Sequence, residues 1–253
     1  MAVDPSEVDG LRAARQTVLD RIDAACARAA RSPSDVTLVA VSKTVAVERI
    51  RAGVAAGLTT LGENHVQEAE AKTGAVAGAT WHLVGPLQKN KARRALEIFE
   101  VIESVDSVAL AERLNRLAPE VRPGRRIPIL LQVNVDGDPS KAGFERADLE
   151  TSLGSVLDVP HLDVRGLMTI GRQVAQPEEA RSTFVALRAL GERLRARDER
   201  LGPELSMGMT DDYELAVEEG ATIVRVGRAL FGDRPHDHGE GPHTHGTAVD
   251  AGR

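Results

Sequence analysis

Short apolar runs rich in β-branched residues alternate along the chain with longer stretches in which apolar residues recur every three or four positions. The first run is VTLVAVSKT, residues 36–44, and the stretch after it, VAVERIRAGVAAG, has helical spacing. A continuous apolar run predicts a strand buried on both faces, whereas the wider spacing predicts an amphipathic helix. In all, the pattern predicts eight strands, near residues 36–43, 59–63, 80–85, 100–105, 127–135, 162–170, 204–209 and 222–227.

This alternation also predicts the fold class, which is α/β. Strands that alternate with helices form a parallel sheet with helical crossovers, and eight repeats favour a single-domain (β/α)8 TIM barrel. An open, doubly wound sheet is the alternative, since counting strands does not separate the two. We expect the barrel and a preceding N-terminal helix to span residues 1–233. The apolar residues at helical spacing in that N-terminal helix are Leu11, Val18, Ile22 and Ala25.

The last segment, residues 234–253, is rich in Gly, Pro and His and has no apolar periodicity. Such a composition buries too little apolar surface to fold, so we predict a disordered tail. Histidines are good metal ligands, but a flexible tail rarely holds them in a fixed geometry, and we predict no metal site. The histidines in question are His236, His238, His243 and His245.

Composition narrows the classes of function. A net charge of −6 gives no electrostatic reason to bind nucleic acid, whose phosphates demand a basic surface. The single cysteine, Cys26, cannot form an internal disulfide and fits a reducing compartment. The sequence has no apolar run of about 18 residues and no secretory leader pattern at its start. We therefore expect a cytoplasmic protein without a membrane span, whose partners are small molecules or proteins.

Polar residues recur where the predicted strands end, and in a parallel barrel those ends build the active site. Lys43 closes an apolar strand, where partial desolvation would favour the neutral, nucleophilic amine that a Schiff-base lysine requires. The alternative is a lysine at the barrel rim whose side chain extends into water. Other strand ends present Glu63, Asn64, His65, His82, Gly85, Asn134 and Met168.

The seventh and eighth strands end in LSMGMTDD and VRVGRALFG, which together predict an anion site. Barrels often bind phosphate between these two loops, with backbone N–H groups and a short helix. Gly208 and Gly227 allow the backbone to approach an anion, and Ser206 offers a hydroxyl. The alternative is that the glycines only form tight turns. A phosphate site opposite a lysine would suit a phosphorylated aldehyde.

Arg225 lies within TIVRVG, where a central strand should be apolar on both faces. Its charge must therefore point into the barrel mouth and find a partner. One possible partner is a pyridine-ring nitrogen, for which Asp or Arg is recognised in pyridoxal phosphate proteins. A permanently charged Arg disfavours protonation of that nitrogen and makes the ring a weaker electron sink. The alternative is a structural salt bridge with a neighbouring carboxylate.

Taken in order from about residue 36 to 232, these segments resemble the pyridoxal phosphate homeostasis protein family. That family is itself similar to the barrel half of fold-type III alanine racemases. The matching strings are AVSKT, LGENHVQE, WHLVGPLQKNK, VNVDGDPSKAGF, RGLMTI, LSMGMTDDYELAVEEGAT and VRVGRALFG.

The resemblance implies a monomeric barrel that holds pyridoxal 5′-phosphate as a Schiff base on Lys43. It also implies that Arg225 faces the ring nitrogen. Position 228 is Arg here, where many members carry a small hydroxyl residue, so this phosphate contact becomes a charged one or is lost. His65 likewise replaces an aromatic residue. The remaining implied cofactor contacts are Asn64, His82 and Met168 in the pocket, and Ser206, Gly208, Gly227 and Arg228 at the phosphate.

Three functions of different class stay open, of which a non-catalytic carrier and regulator is favoured. Related racemases use a second acid–base group, usually a tyrosine from a separate β domain, whereas the one tyrosine here, Tyr213, falls in a predicted helix. A weak amino-acid racemase or lyase, with His82 or water as base, is the second function. The third is a barrel for another phosphorylated ligand, in which Lys43 acts only electrostatically. The basic segment at 87–94 would dock a recipient apo-enzyme or simply be a solvated helix face.

Overall fold

Eight parallel strands close into a barrel in the order in which they occur along the chain. The structure is a computed structural model, and it describes residues 3–172 and 174–232. The barrel closes where the first and last strands pair, with Thr37 opposite Ile223 and Ala40 opposite Val226. The predicted (β/α)8 barrel is therefore confirmed, and the open sheet is excluded. The strands are β1 Thr37–Val41, β2 Thr60–Glu63, β3 Thr80–Leu83, β4 Val101–Val105, β5 Ile127–Gln132, β6 Leu162–Met168, β7 Glu204–Ser206 and β8 Ile223–Val226.

Helices cover the outside of the barrel and connect the strands. The longest helix, α1, precedes the barrel, and its start is fixed by Asp4, whose carboxylate accepts a hydrogen bond from the Ser6 N–H at 2.9 Å. Its buried stripe packs against α2, α8 and α9. The helices are α1 Pro5–Arg28, α2 Val47–Ala55, α3 Val66–Thr73, α4 Ala92–Ile98, α5 Val108–Val121, α6 Arg146–Leu157, α7 Arg181–Arg197, α8 Tyr213–Glu218 and α9 Arg228–Phe231.

The apolar core has two parts, because strands of a barrel bury both faces. The larger part lies between the strands and the helices, and it includes Phe99 and Phe184. The smaller part fills the inside of the barrel, beneath its carboxyl end. Its members are Val39, Val84, Leu130, Met168 and Ile223.

Several strands end earlier than the sequence pattern predicts. β5 stops at Gln132 rather than near residue 135, and β7 stops at Ser206 rather than near residue 209. Residues 133–135 and 207–208, beyond these ends, remain buried but leave the ladder to form loops, so burial alone did not mark the boundary. The predicted disordered tail, residues 234–253 with its four histidines, lies outside the described residues. In the described part of the chain, no helix is long and apolar enough to cross a membrane.

Candidate functional site

A cavity of about 860 Å³ lies at the carboxyl end of the barrel, where parallel barrels place their functional sites. Its walls come from the loop after β1, the residues after β2, β3 and β6, the loop after β7 and the segment from β8 through α9. The walls combine apolar surface with cationic side chains. The lining residues are Val41, 43–46, Arg49, Asn64, 84–86, Ile170, 209–211, Arg225, 227–228 and 231–232.

Lys43, the second residue after β1, is partly buried and lines this cavity. The apolar side chains of Val41 and Ile170 line the same space. Arg225 reaches the cavity from β8, and Gly227 borders it immediately after that strand. A ligand in the cavity therefore meets a primary amine, a guanidinium and an apolar wall together, although these groups are far apart in the sequence.

A cluster that we call the Lys72 network lies behind Lys43 and consists of Ser42, Glu63, Glu68 and Lys72. The Lys72 ammonium donates to the Ser42 carbonyl oxygen at 2.7 Å, to Glu63 Oε1 at 2.8 Å and to Glu68 Oε1 at 2.7 Å. The Ser42 hydroxyl also donates to Glu63 Oε1, at 2.7 Å. Lys72 lies on α3, one helical turn after Glu68, and this spacing lets both side chains point at the loop after β1.

The pKa values of the two carboxyl groups of the Lys72 network are shifted in opposite directions. Burial raises the pKa of Glu63, and the hydrogen bonds from Lys72 and Ser42 offset this only in part. Among the described residues no hydrogen-bond partner reaches the buried Oε2 of Glu63. Partial burial also opposes ionisation of Glu68, but hydrogen bonds from Lys72 and the Thr44 N–H outweigh it and lower its pKa.

A second cluster, which we call the Glu103 network, crosses the inside of the barrel and consists of His82, Glu103, Ser206 and Arg225. His82 Nδ1 lies 2.6 Å from Glu103 Oε1, and the Ser206 hydroxyl donates to Glu103 Oε2 at 2.5 Å. Arg225 Nη1 donates to Ser206 Oγ at 2.5 Å, and its Nη2 donates to the Thr169 carbonyl oxygen at 2.7 Å. The guanidinium is thereby held from below while it reaches the cavity wall.

Glu103 keeps its charge although it is completely buried. Burial works against ionisation, but the hydrogen bond and charge of His82, the charge of Arg225 and the Ser206 hydrogen bond outweigh it and lower the pKa of Glu103. Both carboxylate oxygens have a partner, unlike those of Glu63. For Arg225, burial lowers the pKa, while Glu103 and Asp212 raise it. The sequence left open a direct salt bridge between Arg225 and a carboxylate. In the structure, Arg225 is instead linked to the Glu103 carboxylate through the Ser206 hydroxyl.

The side of the cavity predicted to bind an anion is formed by the loop after β7 and the start of α9. The Gly227 N–H donates to the Thr210 hydroxyl at 3.3 Å, which ties the two segments together. A side chain at Gly227 would place its Cβ 3.3 Å from the Val41 carbonyl oxygen, so glycine lets the backbone approach β1 closely. The Arg228 side chain is half-exposed and pairs with Asp211 at the edge of the cavity.

The structure brings together five of the nine predicted cofactor contacts. Lys43, Asn64, Arg225, Gly227 and Arg228 all line the cavity. The other four lie below or behind its wall. They are His82 and Ser206 in the Glu103 network, Met168 in the inner core, and Gly208 beside α8.

Gly208 is required by packing more than by the cavity. It has a positive φ of 90°, and a Cβ there would lie 2.5 Å from the Ala216 Cβ of α8. Its carbonyl oxygen accepts a hydrogen bond from the Arg225 N–H at 3.0 Å. Gly208 therefore holds β8 and α8 in place behind the wall, as in the tight-turn alternative for this glycine.

Sequence reasoning missed two charged residues that organise the site, Lys72 and Glu103. The scarcity of lysine was one available signal for Lys72, because the chain has only five, at positions 43, 72, 89, 91 and 141. However, its spacing of four residues from Glu68 is also typical of an ion pair on an exposed helix face. Glu103 places a charge within β4, whose other residues are uncharged, as Arg225 does in β8. A search for charges inside predicted buried strands would therefore have found it.

Metal binding has no support in the described residues. Within residues 3–172 and 174–232, no group of three or more His, Cys, Asp or Glu side chains is arranged to hold a metal ion. Most charged side chains that line the cavity are instead cations, with Asp211 as a carboxylate paired to Arg228, and this balance suits an anionic ligand.

Comparison with known proteins identifies relatives for nearly the whole barrel. Residues 18–235 match the family described as alanine racemase, N-terminal domain. A Pseudomonas aeruginosa protein named pyridoxal phosphate homeostasis protein is 42% identical over 222 residues, covering 87% of this chain and 94% of that protein. An Aquifex aeolicus protein of the same name is 39% identical and covers 87% and 96% of the two chains.

Solved structures agree with this assignment. The structure of PipY from Synechococcus elongatus, described as having PLP bound, superimposes with a TM-score of 0.74 at 42% identity and covers 85% of this chain and all of that one. An alanine racemase from Clostridium difficile superimposes with a TM-score of 0.68 at 14% identity, covering 90% of this chain and 58% of that one. The racemase comparison shows a shared barrel fold and nothing beyond it.

Proposed function

This chain belongs to the alanine racemase N-terminal domain family, as a relative of the pyridoxal phosphate homeostasis proteins, and from that membership we infer that it binds pyridoxal 5′-phosphate and serves in the homeostasis of this cofactor. One observation indicates which residues bind the cofactor: Lys43 and the buried Arg225 line the same cavity at the carboxyl end of the barrel. The remaining proposals concern what each residue does there.

Lys43 is the residue that would hold the cofactor covalently. Pyridoxal phosphate supplies an aldehyde that condenses with a primary amine, with loss of one water, and a pyridine ring that can accept electron density. Of the chain's five lysines, only Lys43 lines the cavity. The apolar side chains beside it keep water away from a C=N bond, which favours the linked form.

The other cavity residues would recognise the two ends of the cofactor. Gly227 and Arg228 lie where an anion can approach backbone and a cation, so we assign them to the phosphate. Arg225, held by Ser206 and Thr169, would face the ring nitrogen and keep it unprotonated. Asn64 lines the pocket between these ends. Direct contact of the cofactor with His82, Met168, Ser206 and Gly208 stays a prediction.

We propose a carrier and regulator rather than a catalyst. A racemase needs a second acid–base group on the face of the ring opposite the lysine. Tyr213, the one tyrosine, is buried in α8 with the Arg21 guanidinium 5.4 Å from its ring centroid, and it does not line the cavity. A charged Arg225 at the ring nitrogen would also weaken the ring as an electron sink, which suits storage of the cofactor.

Further predictions concern the oligomeric state, the cellular compartment and the proteins that receive the cofactor. We expect a monomer that works in the cytoplasm, where its single cysteine would stay reduced. Apo-enzymes that need pyridoxal phosphate are the expected recipients. The basic segment at 87–94 is a docking candidate, but Arg93 and Arg94 already pair with Glu120 and with Glu70 and Glu97, which favours a solvated helix face.

The test is the absorbance spectrum of the purified protein with pyridoxal phosphate, before and after borohydride. We expect a Schiff-base band in the wild type that borohydride abolishes, with the phosphopyridoxyl group on the peptide that contains Lys43. Lys43→Ala should lack both signals. Lys89→Ala, which changes an exposed lysine, is the matched control and should keep them. A wild-type protein that never develops the band would overturn the covalent assignment.

Carrier and catalyst are separated by one further measurement on the loaded protein. We expect no exchange of the α-proton of added amino acids with deuterated water beyond the rate given by free pyridoxal phosphate. Exchange that is faster with wild type than with Lys43→Ala would instead establish the racemase or lyase alternative.

A further inference from the structure

The two peptide groups on either side of Lys43 are both held by side chains of α3. The Ser42 carbonyl oxygen, in the peptide group before Lys43, accepts from Lys72 Nζ at 2.7 Å. The Thr44 N–H, in the peptide group after Lys43, donates to Glu68 Oε1 at 2.5 Å. Lys72 and Glu68 are themselves joined at 2.7 Å, so the contacts close a ring around the backbone of Lys43.

This ring fixes the direction in which the Lys43 side chain leaves the backbone. The φ and ψ angles of a residue are the rotations between its two flanking peptide groups, and they are the soft degrees of freedom of the chain. Holding both peptide groups therefore holds both angles. Since the Cα–Cβ direction follows from them, the ring aims the Lys43 side chain at the cavity.

The ring buries charged groups, which costs stability, and a loop with only a structural role would not require them. The side chain of Lys72 is 7% exposed, and Glu63 beneath it is fully buried. Buried charges are destabilising unless they are well paired, and replacement of such a pair by apolar residues is often neutral or stabilising. Here every described contact of the ammonium goes to Ser42, Glu63 or Glu68, next to the one lysine of the cavity.

The backbone after Lys43 is also strained. Thr44 has a positive φ of 64°, a conformation that β-branched residues rarely adopt. Strained residues of this kind are destabilising and persist when surrounding contacts determine them. The hydrogen bond from the Thr44 N–H to Glu68 is such a contact, and it lies at the functional loop.

We propose that Lys72 and Glu68 are positioning residues for Lys43: they hold its backbone in the orientation from which its amine captures pyridoxal phosphate. The proposal rests on the proposed function of Lys43. Neither residue lines the cavity, so both act through the loop and not by contact with the cofactor.

The experiment follows the rate constant for growth of the Schiff-base band after wild-type and variant apo-proteins are mixed with pyridoxal phosphate. Lys72→Met and Glu68→Leu should each lower this rate constant by about tenfold, equivalent to about 1.4 kcal/mol in the barrier. Glu68→Gln retains an oxygen that can accept from the Thr44 N–H and should restore most of the rate. Glu70→Leu changes an exposed carboxylate on the same helix and should behave as wild type.

Two readouts separate positioning from loss of structure. Partial unfolding would lower the amplitude of the band in proportion to the folded fraction but leave its rate constant and its induced circular dichroism unchanged. Misdirection of Lys43 should instead change both in a variant whose thermal unfolding remains cooperative. If Lys72→Met does not fold, Glu68→Leu decides, because Glu68 is partly exposed and its loss leaves Lys72 paired with Glu63.

The outcomes also distinguish this proposal from the function on which it rests. Absence of the band in wild type would overturn the proposed function. A normal band in wild type, with Lys72→Met and Glu68→Leu capturing the cofactor at the wild-type rate and with wild-type circular dichroism, would overturn the positioning role alone. Slow capture by both variants, rescued by Glu68→Gln, would support it.

Discussion

The Lys72 network and the Glu103 network both bury charged groups beside the same cavity, but they differ in how their buried carboxyl groups are hydrogen-bonded. Glu103 has a donor on each oxygen and keeps its charge inside the barrel. Glu63 receives both of its hydrogen bonds on Oε1, and its pKa is raised. At similar burial, hydrogen bonds to both oxygens together with the charges of His82 and Arg225 lower the pKa of Glu103, whereas hydrogen bonds to one oxygen leave the pKa of Glu63 raised.

The two networks also act on different parts of their cationic neighbours. The Glu103 network holds the side-chain guanidinium of Arg225 through Ser206 and leaves its backbone to the pairing with β1 and to the Gly208 carbonyl oxygen. The Lys72 network holds the backbone on both sides of Lys43. This difference fits the proposed chemistry, because a permanent cation has to be fixed at its charged end, whereas a reacting amine has to be aimed at its target.

The largest effect should come from Glu103→Leu, which leaves Arg225 buried without the counter-charge of Glu103 and His82 without its hydrogen-bond partner. We expect a loss of about 3–5 kcal/mol in the free energy of unfolding, measured with urea in the absence of cofactor. Glu112→Leu, at an exposed carboxylate of α5, is the control and should leave stability unchanged. If Glu103→Leu lowers the free energy of unfolding no more than this control does, Glu103 is not a compensated buried charge.

Glu63→Leu should have a smaller effect, although Glu63 is equally buried. Lys72 keeps its bonds to Glu68 and to the Ser42 carbonyl oxygen, and Glu63 has one oxygen without a donor to lose. We expect a loss of about 1–3 kcal/mol in the same urea experiment. A loss as large as that of Glu103→Leu would contradict the comparison between the two networks.

A weaker but more specific effect is an opposite pH dependence of the two carboxyl groups. The lowered pKa of Glu103 contributes stability that is present above its ordinary value of 4.5 and is lost as pH falls through the folded-state pKa. The raised pKa of Glu63 contributes stability that is present below 4.5 and is lost as pH rises through the folded-state pKa.

Glutamine variants isolate these two slopes in urea titrations at several pH values. The stability of wild type relative to Glu103→Gln should increase with pH in the range just below 4.5. Relative to Glu63→Gln, it should decrease as pH rises above 4.5. Slopes of the same sign for the two pairs would show that Glu63 and Glu103 ionise alike.

The smallest effect on stability is expected from Thr44→Gly, which relieves the positive φ of this residue. Glycine removes the strain but adds backbone entropy to the unfolded chain, so we expect a change of at most about 1 kcal/mol. Ala30→Gly is a matched control, since Ala30 has a φ of 54° far from the cavity. Only Thr44→Gly should slow the capture of pyridoxal phosphate, because only there does the extra freedom loosen Lys43. Equal capture rates in both variants would argue against a role for this strain.

The sequence predicted the barrel because the apolar runs and helical spacing repeat eight times, and it predicted Lys43 and Arg225 because each charge interrupts an apolar strand or ends it. It did not separate Gly227, which borders the cavity, from Gly208, which packs against α8, because both follow a strand in similar strings. Lys72 was missed because its partners include a backbone carbonyl group, which leaves no trace in a pattern of side chains.

Closure of the barrel has a consequence for how the protein acquires its function during synthesis. β1 pairs with β8, and the cavity joins the loop after β1 to the segment through Gly232. Every member of the Lys72 network lies within residues 42–72, but the wall opposite Lys43 exists only once the last strand has emerged. A nascent chain therefore carries the lysine long before it has a pocket, and only the finished barrel can retain a reactive aldehyde.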